Sequence, residues 1–228
     1  MREMKDSGIE WIGEIPNNWI ICRVKNVIES NKDGIKIGPF GSSLTNRIVE
    51  NGSYKVYAQS NLIRGDFFST KHTITEDVFF ELRSYEVLPG DICLSMMGTI
   101  GKCLQVPANI ERGIMDSHLI KVRLNPIMLP SFFSYVYDKD NSSVCYTQMK
   151  MDSKGSIMDG LNTSIVENLV LPLPPKDEQQ RIIDYLDSKC SEIDSIIADK
   201  QKQLETLAEY RKSLIYEYVT GKKEVPTA

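Results

Sequence analysis

The chain has 228 residues, 41% of them hydrophobic and 25% charged, with a formal net charge of −4. That composition fits a globular protein with a substantial core and excludes disordered, fibrous and collagen-like chains. The acidic balance argues against a binder that holds nucleic acid by charge alone, because phosphate contacts supply most such affinity.

Charge is evenly spread, with 18 basic against 20 acidic residues in 1–175 and 9 against 11 in 176–228. A DNA-reading surface would therefore have to be local or shared with a partner. No stretch approaches the length of uncharged apolar sequence that a membrane span needs, and the segment from Met1 to Glu14 is too polar for a signal peptide, so the cytoplasm is the expected location. The cysteines Cys22, Cys93, Cys103, Cys145 and Cys190 are odd in number and form no C-x-x-C pair, which predicts reduced thiols.

In chain order, short apolar runs at Ile20–Val24, Tyr54–Ala58, Asp91–Met96 and His118–Leu124 predict strands, and turn-rich stretches such as Gly38-Pro39-Phe40-Gly41 separate them. Helical patterns fit Glu76–Tyr85 and Ser131–Asp138. The polar segment Met149–Gly160 reads as a connector to the last strand.

Pro172-Leu173-Pro174-Pro175 cannot continue a helix from upstream, and Asp177 and Glu178 follow where carboxylates favour a helix N-terminus. From Lys176 to about Thr220 there is no proline or glycine, and Gly221 marks the stop. Apolar residues at Ile183, Leu186, Cys190, Ile193, Ile197, Leu204, Leu207, Leu214 and Tyr218 keep heptad spacing, interrupted by Lys200 and Arg211. This is a coiled-coil seam on a helix roughly 66 Å long. The predicted architecture is a mixed α/β domain over residues 1–170 followed by a long-helix region over 171–228.

Catalytic signatures are missing: there is no G-x-x-x-x-G-K-S/T, no G-x-G-x-x-G opening a helix, no H-E-x-x-H and no G-x-S-x-G. His72 and His118 are the only histidines. A hydrolase would have to use Asp116 and His118 with Ser95 or Ser117; the plainer reading of His118 is a hydrogen-bonded structural group or a DNA contact.

Several segments together resemble the specificity subunit of type I restriction-modification systems. They are Ser7-Gly8-Ile9-Glu10-Trp11-Ile12-Gly13-Glu14-Ile15-Pro16 before Trp19, Gly38-Pro39-Phe40-Gly41-Ser42-Ser43-Leu44, and Leu88-Pro89-Gly90-Asp91-Ile92 leading to Gly98-Thr99-Ile100-Gly101. Gly113 to His118, Gly160-Leu161-Asn162, Leu171 to Pro175 with Glu178 to Ile183, and Glu209 to Ile215 running to Lys222 complete the series. Each segment is weak alone; their order along nearly the whole chain is specific.

The resemblance implies a non-catalytic DNA-recognition subunit. A full-length member carries two target-recognition domains, each followed by a conserved helix, and the helices pack antiparallel as a spacer. A single set implies a homodimer joined by an antiparallel coiled coil through Leu186, Ile193, Ile197, Leu204, Leu207 and Leu214, reading an inverted repeat. The implied partners are double-stranded DNA, modification (methyltransferase) subunits that bind S-adenosylmethionine, and an ATP-driven restriction subunit. No cofactor or metal is expected on this chain. The competing reading is a coiled-coil adaptor whose head binds protein.

Base edges are read by side chains with paired donors and acceptors, whereas Ser, Thr, Lys and backbone N–H groups hold phosphates. On that basis Lys36, Ser42 and Ser43 around the glycine turn are candidate contacts, against an ordinary turn. Tyr57, Gln59 and Asn61 would alternate along a strand edge, with Gln and Asn suited to adenine, against a solvated face. Ser95, Thr99 and Lys102 belong to a predicted tight turn with a basic tip, beside Met96 and Met97 read as core. His118, and Lys150, Ser153 and Lys154 in the polar connector, complete the candidates.

Overall fold

The structure is a computed structural model that describes residues 2–40, 42–141, 144–152 and 160–226. Ser153 and Lys154 lie outside the described residues. The chain divides into two compact units, Met1–Gln180 and Arg181–Ala228.

The first unit begins with β1 (Met4–Asp6), β2 (Glu14–Pro16), β3 (Ile20–Arg23) and β4 (Ile35–Ile37), followed by α1 (Ser42–Thr45), β5 (Tyr54–Tyr57), α2 (Gln59–Arg64), β6 (Thr73–Ile74) and α3 (Glu76–Glu81). It continues with β7 (Ile92–Ser95), β8 (Cys103–Gln105), β9 (Gly113–Met115), β10 (Leu119–Val122), α4 (Pro130–Tyr137), α5 (Val144–Asp152), α6 (Thr163–Asn168) and β11 (Val170–Leu173). The last element, α7, runs from Lys176 to Val219 over 44 residues.

Two sheets form the centre. One is four-stranded in the order β4-β10-β7-β8 and the other three-stranded in the order β6-β5-β9, with β5 and β9 parallel. In the smaller sheet, Val56 and Ile114 enter a cluster with Leu44, Ile74, Val78 and Phe79, whereas Tyr57 and Met115 enter another with Leu62, Phe67, Cys93 and Leu119. Alternate side chains thus bury on opposite faces, which is why apolar residues stand at successive positions of β5 and β9, Lys55 excepted. Ring stacking of Tyr54 on Phe79, centroids 3.9 Å apart, strengthens one face.

Local chemistry explains the helices. Pro130 sits at the first turn of α4, where its missing N–H costs nothing, and Phe132, Phe133, Val136 and Tyr137 bury one side of it. Asn162 caps α6 by accepting from the Ile165 N–H at 2.9 Å. Strand β11 pairs antiparallel with β3, and this joins the start of the unit to the segment entering α7.

That entry point is held by buried polar groups. The Glu178 carboxylate accepts from Arg2 at 2.7 Å and from Trp19 Nε1 at 2.9 Å, and these donors hold it below the usual carboxylate range. Gln179, fully buried, accepts from the Leu129 N–H at 2.8 Å and donates to the Ile127 and Pro174 carbonyls at 2.9 and 3.0 Å.

Cys93, Cys103 and Cys145 are buried, and burial pushes each thiol well up from its ordinary value, Cys145 to about 12. Since the thiolate is the reactive form, these three are expected to resist a thiol-specific reagent in the native protein and to react on unfolding. Reagent uptake counted before and after denaturant checks this; rapid native labelling of Cys93 would contradict the packing described.

In the second unit, α7 presents Ile193, Ile197, Leu204 and Leu207 to solvent at 54 to 61% exposure, with Leu186 and Leu214 half-buried. Tyr210, Ile215 and Val219 are exposed as well. Thr220 and Gly221 end the helix, with Gly221 at φ 68°, the left-handed position that favours glycine. Among the described residues no helix is long and apolar enough to cross a membrane.

Candidate nucleic-acid interface

Segments far apart in sequence converge where β4, β5, β7 and β9 end and β10 begins. The Gly38 N–H donates to the Leu119 carbonyl at 3.0 Å, Asp116 N–H to Tyr57 at 2.8 Å, Met96 N–H to His118 at 3.1 Å and Leu161 N–H to Met96 at 2.9 Å. The rim so formed comprises Gly38–Phe40, Gln59, Met96–Thr99, Asp116–His118 and Gly160–Leu161.

Gly38 belongs there for a steric reason. A Cβ at this position would lie 1.8 Å from the Asp116 carbonyl oxygen, so the two loops can approach only with glycine. Gly38→Ala is expected to lower stability by at least about 2 kcal/mol through overpacking, read from urea unfolding midpoints; an unchanged midpoint would contradict the close approach.

His118 is exposed on the rim. Its N–H donates to Asp116 Oδ1 at 2.9 Å, and its Nδ1 lies 3.3 Å from Asp116 Oδ2 and 3.4 Å from Ser117 Oγ. Burial raises the Asp116 carboxyl above its ordinary value. A catalytic triad engages the acid and the nucleophile through different ring nitrogens; here Asp116 and Ser117 both face Nδ1.

Gln59 also lies on the rim, partly exposed, and its amide engages the main chain of one residue twice: Nε2 donates to the Met97 carbonyl at 2.6 Å and Oε1 accepts from the Met97 N–H at 3.3 Å. It clamps the Met96–Gly101 loop. Thr99, partly exposed, donates its N–H to the Met97 carbonyl at 2.7 Å.

Other expected contacts are placed differently. The strand edge expected to carry Tyr57, Gln59 and Asn61 stops at Tyr57, and Gln59 and Asn61 are on α2. The break is made by Asn61, whose Oδ1 accepts from the Ala58 N–H at 2.9 Å while Nδ2 donates to Asp66 at 3.0 Å. Asn61 is 2% exposed and Tyr57 is 1% exposed, its hydroxyl donating to the Glu111 carbonyl at 2.6 Å. Ser95 is fully buried; its hydroxyl donates to the Thr99 carbonyl and accepts from the Lys102 N–H at 3.2 Å, closing the turn. These three side chains serve packing and turn closure.

Lys102 pairs with Asp140 and lies 3.7 Å from Asp138, which raises its ordinary value. The Lys36 ammonium sits over the Tyr85 ring at 4.9 Å. Lys150 is on α5, over the Tyr146 ring at 4.4 Å, rather than in a loop. Ser42 and Ser43 open α1, with Ser43 exposed.

Two rim residues escaped the sequence reading. Phe40 is 65% exposed at the end of the glycine turn, and Met97, expected in the core, is 44% exposed, whereas Met96 is buried as expected. Nothing in a residue type separates Met96 from Met97; only the end of β7 at Ser95 does. The rim offers an imidazole, short hydroxyls, backbone N–H groups and two apolar contacts, a mixture suited to base edges and thymine methyls.

A family profile described as the type I restriction modification DNA specificity domain matches residues 16–206. Among curated proteins, the putative type I restriction enzyme MjaX specificity subunit of Methanocaldococcus jannaschii is 24% identical over 216 residues, covering 92% of this chain and 47% of that protein. The MjaVIII specificity subunit of the same organism is 26% identical over 110 residues, covering 48% of this chain and 24% of the relative. This chain thus spans less than half the length of these relatives. Among solved structures, a chain from a study of complex assembly and conformational transition of the type I R-M system superposes with a TM-score of 0.63 at 17% identity, covering 87% of this chain and 44% of that one. The HsdS subunit from Thermoanaerobacter tengcongensis gives 0.57 at 18% identity, covering 84% and 41%. At these identities the superpositions establish the fold, a mixed α/β domain followed by a long helix.

Proposed function

Given that the chain belongs to the type I restriction modification DNA specificity domain family, we propose that it recognises a DNA sequence and, as a homodimer, reads a bipartite inverted repeat to which it directs methyltransferase and restriction subunits. Residues 1–170 act as the target-recognition domain and 171–228 as spacer and dimerisation region. The chain itself catalyses nothing in this reading; S-adenosylmethionine and ATP belong to the partner subunits, and the assembly works in the cytoplasm.

The observation that carries the proposal is the row of exposed apolar side chains on α7, from Ile193 through Ile197 and Leu204 to Leu207, kept in heptad register. Leucines and isoleucines at that density on one helix mark an interface. A second copy is the occupant that fits, because the relatives are about twice as long and an isologous antiparallel pair of helices would restore two recognition domains with true two-fold symmetry. Helix length then sets the gap between half-sites.

Selection of bound duplexes from a random pool, by this chain mixed with modification subunits at fixed salt, tests the reading. An enriched inverted, gapped repeat is expected. A flat pool from a properly assembled complex would favour the coiled-coil adaptor instead. On the selected duplex, His118→Ala is expected to weaken binding about fivefold or more through loss of a rim contact worth ~1–3 kcal/mol, with no change in unfolding midpoint; equal affinity would remove His118 from the reading surface.

A further inference from the structure

Away from the rim, at the other end of β10, the first unit has a cleft lined by four cations, Lys32, Arg83, Lys121 and Arg123, against two carboxylates, Asp33 and Glu86. In a chain of net charge −4 this is a local reversal of sign. We propose that the cleft is a binding site for a phosphate-type oxyanion.

Lys121 carries the argument. It lies in the middle strand of β4-β10-β7 and is 2% exposed, yet it lines the cleft. Its ammonium donates to the Glu86 carbonyl at 2.7 Å, the one acceptor that the described residues give it. An ammonium has three donors, so two remain for an occupant of the cleft. Burial lowers the Lys121 value despite the neighbouring Asp91 and Asp33; an arriving anion would offset that desolvation.

Of the carboxylates nearby, Asp33 stays in the lining as an opposing charge, whereas Asp91 and Glu86 are engaged by arginines. Asp91 takes Arg123 in a two-point pair at 2.7 and 2.9 Å, and Glu86 takes Arg112 at 2.9 Å with Arg83 at 3.7 Å. Arg83 keeps 63% of its side chain exposed, leaving most of its planar donor fork available, the geometry that suits phosphate. Ser84, beside it in the cleft lining, adds a hydroxyl. Rigid support comes from β10 and from the turn after α3, so the cations need little reorganisation on binding.

The cleft shares no residue with the rim, and its test can fail separately from that of base reading. The full chain would be titrated with inorganic phosphate, with chloride at matched ionic strength as control, following the backbone amide signals of Ser84, Glu86 and Lys121. Saturable shifts with phosphate alone are expected, and Arg83→Ala, a substitution at an exposed side chain, should weaken them about tenfold or more through loss of a charge-assisted hydrogen bond. Lys121→Met serves as the second variant, read only after its unfolding midpoint is measured. Shifts that do not saturate, that chloride reproduces, or that are unchanged in Arg83→Ala would overturn the proposal. Displacement of phosphate by a short duplex would assign the site to a DNA backbone phosphate; retention of phosphate beside bound duplex would assign it to a free oxyanion.

Discussion

Leu207→Asp is expected to turn a dimer into monomers while leaving the first unit folded. Leu207 is 61% exposed on the single chain and lies on the heptad seam with Leu204 and Leu214. Two-fold pairing buries it twice, so the substitution removes two leucines from the interface and adds two carboxylates. At ~2 kcal/mol for each buried leucine, before any cost of desolvating charge, the dimer loses at least about 4 kcal/mol, which is about a thousandfold in dissociation constant. Two tethered recognition domains bind a gapped repeat with an effective-concentration advantage of about 10²–10⁴ over one. Binding to the full repeat should therefore fall by about that factor, while binding to a half-site stays as it was. Light scattering and fluorescence anisotropy on matched duplexes measure the two effects. A monomeric wild type would overturn the paired-helix reading, and a dimeric Leu207→Asp would move the interface elsewhere.

The long helix was legible because its signal is local and repeated. Proline marks the entry, glycine the exit, and heptads fill the interval, so the expected span of Lys176 to about Thr220 meets an observed Lys176–Val219. Strands β3, β5, β7 and β10 were legible as apolar runs for a similar reason. The rim was not, since its members become neighbours only through the β4-β10-β7-β8 order and the parallel β5-β9 pairing, which no short window contains. Tyr57, Gln59 and Asn61 illustrate the failure: alternation matched a strand, but the Asn61 amide captures the Ala58 N–H and starts a helix, a side-chain-to-backbone bond that competes with the sheet ladder. Residue type likewise misplaced Ser95, whose hydroxyl is used up inside its own turn. Lys121 was overlooked because a lysine flanked by Ile120 and Val122 reads as the solvent face of a strand, whereas it is buried there.

Gln179→Ala is expected to be among the most damaging single substitutions in the first unit, although glutamine is usually a surface residue. Its amide makes three hydrogen bonds, from Leu129 N–H and to the Ile127 and Pro174 carbonyls, at full burial. Removing it takes the partner from the buried Pro174 carbonyl and from the part-buried Leu129 N–H and Ile127 carbonyl, at ~1–3 kcal/mol for each group left unpaired. Urea unfolding should show a loss of at least about 3 kcal/mol at unchanged slope; a loss below about 1 kcal/mol would mean that the groups find other partners. Gln179→Glu separates charge from shape. A carboxylate there would face the Ile127 and Pro174 carbonyls, so its folded value must rise above the unfolded reference of about 4.3. With the folded value raised, the cost is absent below the unfolded value and grows as pH climbs from it towards the folded one. The gap to wild type should therefore close on acidification, whereas for Gln179→Ala, which has no titrating group, it should not.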